Sequence, residues 1–477
     1  MNIFIDFSGS YDIFVLKFSN HSFAKRRKKC QEKLKSHVAT ARILLCKICA
    51  NLFKNLNKII HSHDFLQKHR FSEKDFQRNR LLTFPTLIHY FLSLPKGSYQ
   101  DELDRFYKTM LHLDGFERMV SKAALCKARK KLKHEAFIEL NRLSNRFFYE
   151  NMSPETWRGF NLLAIDGSTL ALPHEKEITD HFGVLKPTKG KPRPMARISQ
   201  MFDVINKTTI HAAISPLENG ERELAADHFL NLLPQDLILL DRGYPAYWLF
   251  NLILSLNANF CARISKKWKI IQKFSKSGKK EKIIRLKAPS SSISQCKEMG
   301  LDIKPLKLRL IRVELKNGET EILITSLTDG QAFPVHIFKD LYHLRWPVEE
   351  DYKALKCRIE VQNFSGKSVL SVYQDFHSKV LSKNLTAMTA HPVKKQIRNK
   401  TRGRKHPYQI NFTQALSKMK IAMVLLFNQP AKAVEKLISG IHHIFVETIE
   451  PIRPGRSFPR KHKIRPRAFY QNYKPIA

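Results

Sequence analysis

The spacing of apolar residues along the chain changes from a helical period to a strand period near residue 161. Between Thr83 and Asn151 apolar residues recur every three or four positions, which is typical of amphipathic helices. Beyond residue 161 short apolar runs predict three strands, a helix, a strand, a helix and a strand. A mixed sheet flanked by helices fits this order, with a parallel crossover between Leu217 and Asp236. The pattern therefore predicts an α/β fold that follows a helical region.

Polar residues mark where helices of the early region should begin. Thr83 stands shortly before Pro85, and Ser98 precedes two acids and an apolar-periodic run. Ser121 opens a basic helix, SKAALCKARKKLKHEAF, in which apolar residues recur at helical spacing. Its remaining positions are filled by Lys122, Lys127, Arg129, Lys130 and Lys131. A basic helix after another helix favours a helix-turn-helix-like DNA reader, and a structural bundle with a solvated face is the alternative.

The composition shifts between residues 265 and 330, where lysines and a serine cluster precede two further strand patterns. The two patterns are joined at Asn317-Gly318, a dipeptide typical of β-hairpins. This segment is predicted to be a β-rich insertion. Helical spacing returns from about Pro334.

Charge identifies the class of partner. The chain has 83 Lys+Arg against 42 Asp+Glu, a formal net charge of +41. Such an excess opposes compaction unless a polyanion screens it, so nucleic acid is the first partner to consider and an anionic membrane surface the second. The longest nearly apolar run, 247–256, is about half the length of a membrane span. Charge does not distinguish an enzyme from a structural nucleic-acid protein.

The seven cysteines are scattered, which is typical of a reducing cytoplasm. Cys46 and Cys49 form one CxxC, but no second Cys or His pair follows at zinc-finger spacing. Two buried thiols on an apolar helix are the favoured interpretation. The first residues contain Asp6 and Asp12 and no leading basic cluster, which is not typical of a signal peptide.

Two acids stand at the ends of predicted strands, Asp166 in AIDGST and Asp241 in LLDRGY. Taken singly, each fits ordinary turn or cap chemistry. If the two strands are neighbours, the carboxylates converge at the sheet edge where ligands of α/β proteins gather. Close carboxylates repel unless a cation lies between them, and oxygen ligands favour magnesium or manganese. A third carboxylate would complete a two-metal site for phosphoryl transfer.

The stretch YHLRWPVEEDYKALK offers that carboxylate. Tyr342, Glu349 and Lys356 are seven residues apart, and Arg345 lies four before Glu349. On a helix they share one stripe, although a solvated face is the default interpretation of such a run. Pro347 is expected to be the first residue of the helix that carries Glu349.

These four residues have the spacing Tyr-x2-Arg-x3-Glu-x6-Lys, which resembles the signature of DDE transposases of the insertion-sequence-four group. The blocks AIDGSTLALP and LLDRGYPAYW resemble the two aspartate regions of that family. The segment 83–141 is similar to its helical N-terminal region. The resemblance covers roughly residues 65 to 390.

The resemblance implies a ribonuclease-H-like core, interrupted by the β-rich insertion. It implies a catalytic triad that binds two Mg²⁺ ions, with Mn²⁺ as an alternative: Asp166, Asp241 and Glu349. It further implies contacts with transposon-end DNA by Tyr342, Arg345 and Lys356. The N-terminal candidates for DNA contact are the five basic residues of the helix after Ser121.

The predicted function is that of a transposase, which binds terminal inverted repeats, cleaves both element ends and joins them to target DNA. A metal-dependent nuclease without strand transfer and an inactive DNA-binding protein are the alternatives. The expected partners are double-stranded DNA and a second copy of the chain in the DNA complex, without a membrane, in the bacterial cytoplasm at the nucleoid. The predicted regions are a basic helical arm (1–62), a helical DNA-binding region (63–155), the first part of the core (156–264), the insertion (265–330), the second part of the core (331–392) and a basic C-terminal region (393–477).

Overall fold

The computed structural model describes residues 43–78, 80–115, 117–186, 191–315, 318–453 and Lys474. Most of the basic arm predicted for 1–62, and most of the basic run at the C-terminus, therefore lie outside the described residues. The chain divides into two units after Lys47. Residues 43–47 are helical, and the larger unit, which begins at Ile48, contains every feature that follows. In the described part no helix is both long and apolar enough to cross a bilayer.

Helices form the N-terminal region, the flanks of the sheet and the C-terminal region. They are α1 (residues 48–60), α2 (His63–His69), α3 (Phe84–Leu92), α4 (Tyr99–Leu111), α5 (Lys122–Arg129), α6 (Glu135–Asn151), α7 (Lys176–Phe182), α8 (Glu221–Phe229), α9 (Tyr247–Ser255), α10 (Lys269–Lys276), α11 (Ser290–Glu298), α12 (Ile337–His343), α13 (Pro347–Lys353), α14 (Val369–Ala390), α15 (Lys394–Lys400), α16 (Phe412–Asn428) and α17 (Ala431–Glu447).

The early helices begin at the predicted polar residues. The side chains of Thr83, Ser98 and Ser121 each accept a hydrogen bond from the backbone N–H three residues later. Each bond satisfies one of the amides that the first turn of a helix leaves without a partner. The start signals of α3, α4 and α5 are therefore confirmed.

Strands form one large sheet and one small one. The large sheet contains β1 (Asn161–Ala171), β2 (Val184–Leu185), β3 (Arg193–Asp203), β4 (Thr208–Ser215), β5 (Asp236–Leu240), β6 (Asn259–Arg263), β7 (Glu281–Leu286), β8 (Leu306–Glu314) and β9 (Thr320–Thr325). The small sheet pairs β10 (Tyr408–Ile410) with β11 (Ile449–Pro451).

The large sheet has the order β2-β3-β1-β5-β6-β9-β8-β7, with β4 also paired to β3. Strand β3 is antiparallel to β1 and β4, whereas β1, β5 and β6 run parallel. Helices α8 and α9 make the crossovers that parallel neighbours require. The central β5 is buried along its whole length, which explains why its residues after Asp236 are all apolar. The predicted α/β fold, a mixed sheet with flanking helices, is confirmed.

The insertion is part of the same sheet. Strand β9 pairs antiparallel with β6, through Cys261 opposite Thr325, and β8 and β7 continue the sheet outward. Helices α10 and α11 flank these strands. The β-rich character of this segment was predicted from its sequence, whereas its continuity with the core was not.

The described C-terminal helices complete the N-terminal helical region. The ring of Phe427 on α16 stacks on His89 of α3 and meets Phe53 of α1 edge-on. On the same helix the Lys420 ammonium donates to the Glu102 carboxylate of α4 at 3.0 Å. The C-terminal region was predicted from charge alone, but as far as residue 453 it packs as part of the helical core.

Candidate active site

The register of the sheet brings the two aspartates to one edge. Ala164 of β1 lies opposite Leu239 of β5, and Asp166 and Asp241 each stand two residues further along. Neighbouring strands are about 4.8 Å apart, so both side chains leave the sheet at nearly the same level. Asp166 does not end its strand as predicted, because β1 continues to Ala171 through its pairing with β3. What ends near Asp166 is the pairing of β1 with β5.

Asp241 is held by a cation and a phenol. Arg263 donates to its carboxylate at 2.8 Å, and the Tyr342 hydroxyl lies 3.4 Å from the same oxygen. Arg263 ends β6, the third parallel strand, and its other terminal nitrogen binds Glu321 of β9 at 2.8 Å. We did not predict Arg263 from the sequence. Its position at the end of the run NFCAR was the available signal, since parallel strands end at the same edge.

Glu349 enters from the helical side. Pro347 is the first residue of α13, as predicted, and Glu349 follows in the first turn. Arg345, in the break between α12 and α13, donates to the Glu349 carboxylate at 2.6 Å. Tyr342 lies on α12, so the predicted stripe is divided between two helices.

Lys356 contacts the strand that carries Asp166. It lies in a wide, π-helical turn, Ala354–Arg358, of a kind that often marks functional sites. Its ammonium donates to the Ser168 hydroxyl at 2.7 Å, and Ser168 is two residues beyond Asp166 on β1. Burial lowers the pKa of Lys356, while the Asp166 carboxylate opposes that shift.

The Asp166 carboxylate shares one electrostatic environment with the other acids. Burial raises its pKa to about 6, and the Glu349 and Asp241 carboxylates act in the same direction. The Arg345 guanidinium and the Gly167 backbone N–H act in the opposite direction. Asp166 therefore lies within electrostatic reach of the other two acids of the predicted triad.

The three consecutive acids of the signature region have different environments. Glu349 faces Arg345 at the sheet edge, whereas Glu350 is exposed and pairs with Lys353 on the helix surface. Asp351 is buried and forms an ion pair with Lys383 of α14. Glu349 thus pairs with Arg345, Glu350 lies on the surface and Asp351 lies in the interior.

The predicted N-terminal DNA contacts also divide by exposure. Lys122, Lys127 and Lys130 are exposed on or next to α5, and Lys131 is half-buried beside Asp75 at 3.1 Å. Their contact with DNA remains a prediction.

Arg129 is a correction to that set. Its side chain is buried and binds the Asp375 carboxylate at 3.1 Å and the Gln374 side chain at 3.0 Å, both on α14. A guanidinium committed to these buried partners is not available to a phosphate. Arg129 fixes α5 against the core, so its prediction as a DNA contact was wrong.

The chemistry of the acids suits a divalent cation. Carboxylate oxygens are the ligands that magnesium and manganese prefer, and the burial of Asp166 favours added positive charge. In the part of the chain that the structure describes, no three His, Cys, Asp or Glu side chains are grouped to hold an ion. Asp241 and Glu349 each give one carboxylate oxygen to an arginine, which leaves the second oxygen of each side chain for an ion.

The chain is similar to known transposases. A family model described as "Transposase DDE domain" matches residues 157–385, a range that contains all three acids. Over 366 residues the chain is 25% identical to the transposase InsG for insertion sequence element IS4 of Escherichia coli (strain K12), covering 74% of this chain and 79% of that protein. A solved piggyBac transposase synaptic complex with hairpin DNA is similar at a TM-score of 0.40 and 12% identity, over 82% of this chain and 85% of that one.

Proposed function

We propose that this chain acts as a DDE transposase of the insertion-sequence-four group, to which it is similar. In this proposal it binds the inverted repeats of one insertion sequence, cleaves each end and joins the freed 3′-hydroxyl to target DNA. The supporting observation is the shared sheet edge, where Asp166 lies on β1 and Asp241 directly follows the neighbouring parallel strand β5. Glu349 belongs to the same electrostatic environment.

Asp166, Asp241 and Glu349 are proposed to bind two Mg²⁺ ions, with Mn²⁺ as a substitute. Bound ions supply positive charge for the attacking and leaving oxygens of a phosphodiester. The protein contributes rigid placement, because two of the carboxylates come from adjacent strands and the third from a helix that starts at a proline. Arg263 and Arg345 balance the charge of Asp241 and Glu349 before ions bind.

Tyr342, Arg345 and Lys356 are proposed to position the end DNA. Arg345 and Lys356 provide cations beside the carboxylates, where the phosphate to be cleaved must enter. Tyr342 fixes the strand end through its hydroxyl, which lies 3.3 Å from the carbonyl oxygen of Leu240. Contacts of this kind orient the DNA backbone and do not read base sequence.

A second DNA-binding surface is proposed on the insertion. We call it the lysine face, and it consists of ten exposed cations: Lys266, Lys267, Lys269, Lys273, Lys276, Lys279, Lys280, Lys282, Arg285 and Lys287. None of them has a carboxylate partner in the described part of the chain. The single acid in this range, Glu281, binds Arg309 instead. The lysine face begins three residues after Arg263, so DNA bound at the triad would lie beside it.

Substituting Lys269, Lys273 and Lys276 together by glutamine should weaken binding to end DNA and flatten its salt dependence. Each phosphate that the protein no longer neutralises removes about 0.9 from the slope of log affinity against log salt, so the slope should fall by up to about 2.7. Fluorescence anisotropy at several salt concentrations measures the change.

The matched control replaces three other exposed lysines by glutamine: Lys418 of α16 and Lys432 and Lys436 of α17. This variant loses the same net charge away from the insertion, and its slope should stay near that of the wild type. Equal slopes in the two triple variants would show that the lysine face makes no specific contact.

A strand-transfer assay tests the proposed reaction. The assay mixes the protein with labelled duplex DNA carrying an element end, supercoiled target plasmid and Mg²⁺. The label should become joined to the plasmid, and excess EDTA should abolish the joined product. Cut product without joining would instead establish a nuclease. Binding without either product would establish a DNA-binding protein that lacks catalysis.

We also propose that two copies of the chain act on one element at the bacterial nucleoid. An insertion sequence has two ends, and the chain supplies one set of the three acids. The mass of the complex with end DNA, measured by light scattering, should correspond to two chains. A complex of one chain would contradict this proposal.

A further inference from the structure

The phenol of Tyr352 joins the helix that carries Glu349 to the strand that carries Asp166. Its hydroxyl donates to the backbone carbonyl of Asp166 at 2.6 Å. Tyr352 lies on α13 and is 6% exposed, and Asp166 lies on β1. A phenol is protonated at neutral pH, so this donor is always present. A short hydrogen bond thus connects the elements that carry two acids of the proposed triad.

Tyr352 and Glu349 lie on the same side of α13. Three residues along a helix correspond to a rise of about 4.5 Å and a difference in direction of about 60°. The phenol that meets β1 and the Glu349 carboxylate are therefore one turn apart on one helix face. A shift of the hydroxyl away from the Asp166 carbonyl would move Glu349 relative to Asp166.

The other hydroxyl near this carbonyl is a weaker donor to it. Ser199 of β3 lies 3.4 Å from the Asp166 carbonyl, which is long for a hydrogen bond between two oxygens. The same hydroxyl lies 2.9 Å from the Nε2 atom of His228, and this is the shorter of its two contacts. Tyr352 therefore provides the stronger of the two side-chain contacts to the Asp166 backbone.

Two further contacts join this segment to the sheet at neighbouring residues. Gln200 of β3 donates to the Asp351 carboxylate at 2.9 Å, and Lys356 donates to the Ser168 hydroxyl at 2.7 Å. In both contacts a side chain bonds to a side chain, so rotation about side-chain bonds can absorb a shift of the helix. The Tyr352 phenol bonds to the main chain instead, which leaves the strand less freedom.

We infer that Tyr352 is a positioning residue, whose hydroxyl holds α13 against β1 and so sets the placement of Glu349 relative to Asp166. Misplacing a reacting group by about 1 Å can cost about 10²-fold in rate. This inference rests on the proposed function, because it assumes that the two acids act together in DNA cleavage.

Tyr352→Phe removes only the hydroxyl and tests the inference. Single-turnover cleavage at saturating end DNA and Mg²⁺ should be about 10–100-fold slower than in the wild type. The affinity for end DNA, measured by fluorescence anisotropy, should stay near the wild-type value, because basic residues dominate it. A lower rate at unchanged affinity is the result expected of misplaced acids.

Tyr247→Phe is the matched control. The Tyr247 hydroxyl also donates to a backbone carbonyl at 2.6 Å, that of Lys304, which lies two residues before β8. Each variant loses one neutral hydrogen bond of the same kind and length, so the two melting temperatures should fall by similar amounts. Tyr247→Phe should nevertheless cleave end DNA at the wild-type rate.

Cleavage by Tyr352→Phe at the wild-type rate would overturn the positioning role. Equal slowing in Tyr352→Phe and Tyr247→Phe would overturn it as well, since that pattern reports only on stability. A wild-type chain that binds end DNA without cleaving it would overturn the proposed function, and the inference with it.

Discussion

Glu349→Gln is expected to slow cleavage of end DNA by about 10²–10³-fold, because it removes a negative charge from the proposed metal site at nearly constant volume. The substitution also releases Arg345, which donates to this carboxylate at 2.6 Å. Binding to end DNA should survive, since basic residues dominate that affinity. Single-turnover kinetics with saturating Mg²⁺ measure the cleavage rate, and an anisotropy titration measures the affinity for end DNA.

Glu350→Gln is the control at the next position. The two acids point about 100° apart around the helix, and Glu350 pairs with Lys353 on the exposed surface. Cleavage by this variant should stay within a few-fold of the wild type. If Glu350→Gln were the inactive variant and Glu349→Gln the active one, the signature would be assigned one residue out of register.

Asp351→Asn is expected to lower the free energy of unfolding by about 3–5 kcal/mol, because it leaves the buried Lys383 ammonium without its counter-charge. Lys383 is fully buried, and its second bond is to the Thr209 hydroxyl at 2.8 Å. Gln200 donates to the same Asp351 oxygen at 2.9 Å, so the pair belongs to a closed polar network. Urea denaturation followed by circular dichroism measures the change.

Two comparisons make that result interpretable. Glu350→Gln breaks an exposed pair on the same helix and should change stability by less than about 1 kcal/mol. The double variant Asp351→Leu with Lys383→Met replaces the pair by apolar side chains and should recover most of the loss. A single Asp351→Asn variant as stable as the wild type would show that Lys383 readily becomes neutral or reaches water.

The core of the sheet could be predicted because its strands differ in period from the helices around them. The buried β5 is a continuous apolar run, and β3 and β4 are joined by a short polar turn at Asn206. The pairing of β9 with β6 could not be predicted in the same way. Partner choice between strands about 60 residues apart depends on tertiary packing, and neither strand carries a signal for the other.

The start of the helix that carries Glu349 was predictable, because proline suits the first position of a helix. Pro347 sets the first turn of α13, and Glu349 follows from it. The partner of Asp241 was not predictable, since Arg263 reaches that carboxylate from the end of another strand. The error at Arg129 has the same origin. A basic helix shows its charge in the sequence, but only the docking of α14 determines which side of α5 is buried.

The packing of α16 against the first helices determines when a newly made chain can finish folding. Ribosomes deliver the N-terminus first, at about 5–20 residues per second. Phe427 contacts His89 and follows it by 427−89 = 338 residues. At this rate the ribosome adds Phe427 roughly 20–70 s after His89, and α3 lacks the contact until then. During that interval the apolar surface that α16 covers stays exposed. We expect chains that end before α16 to lack this cover and to be degraded faster than the full chain.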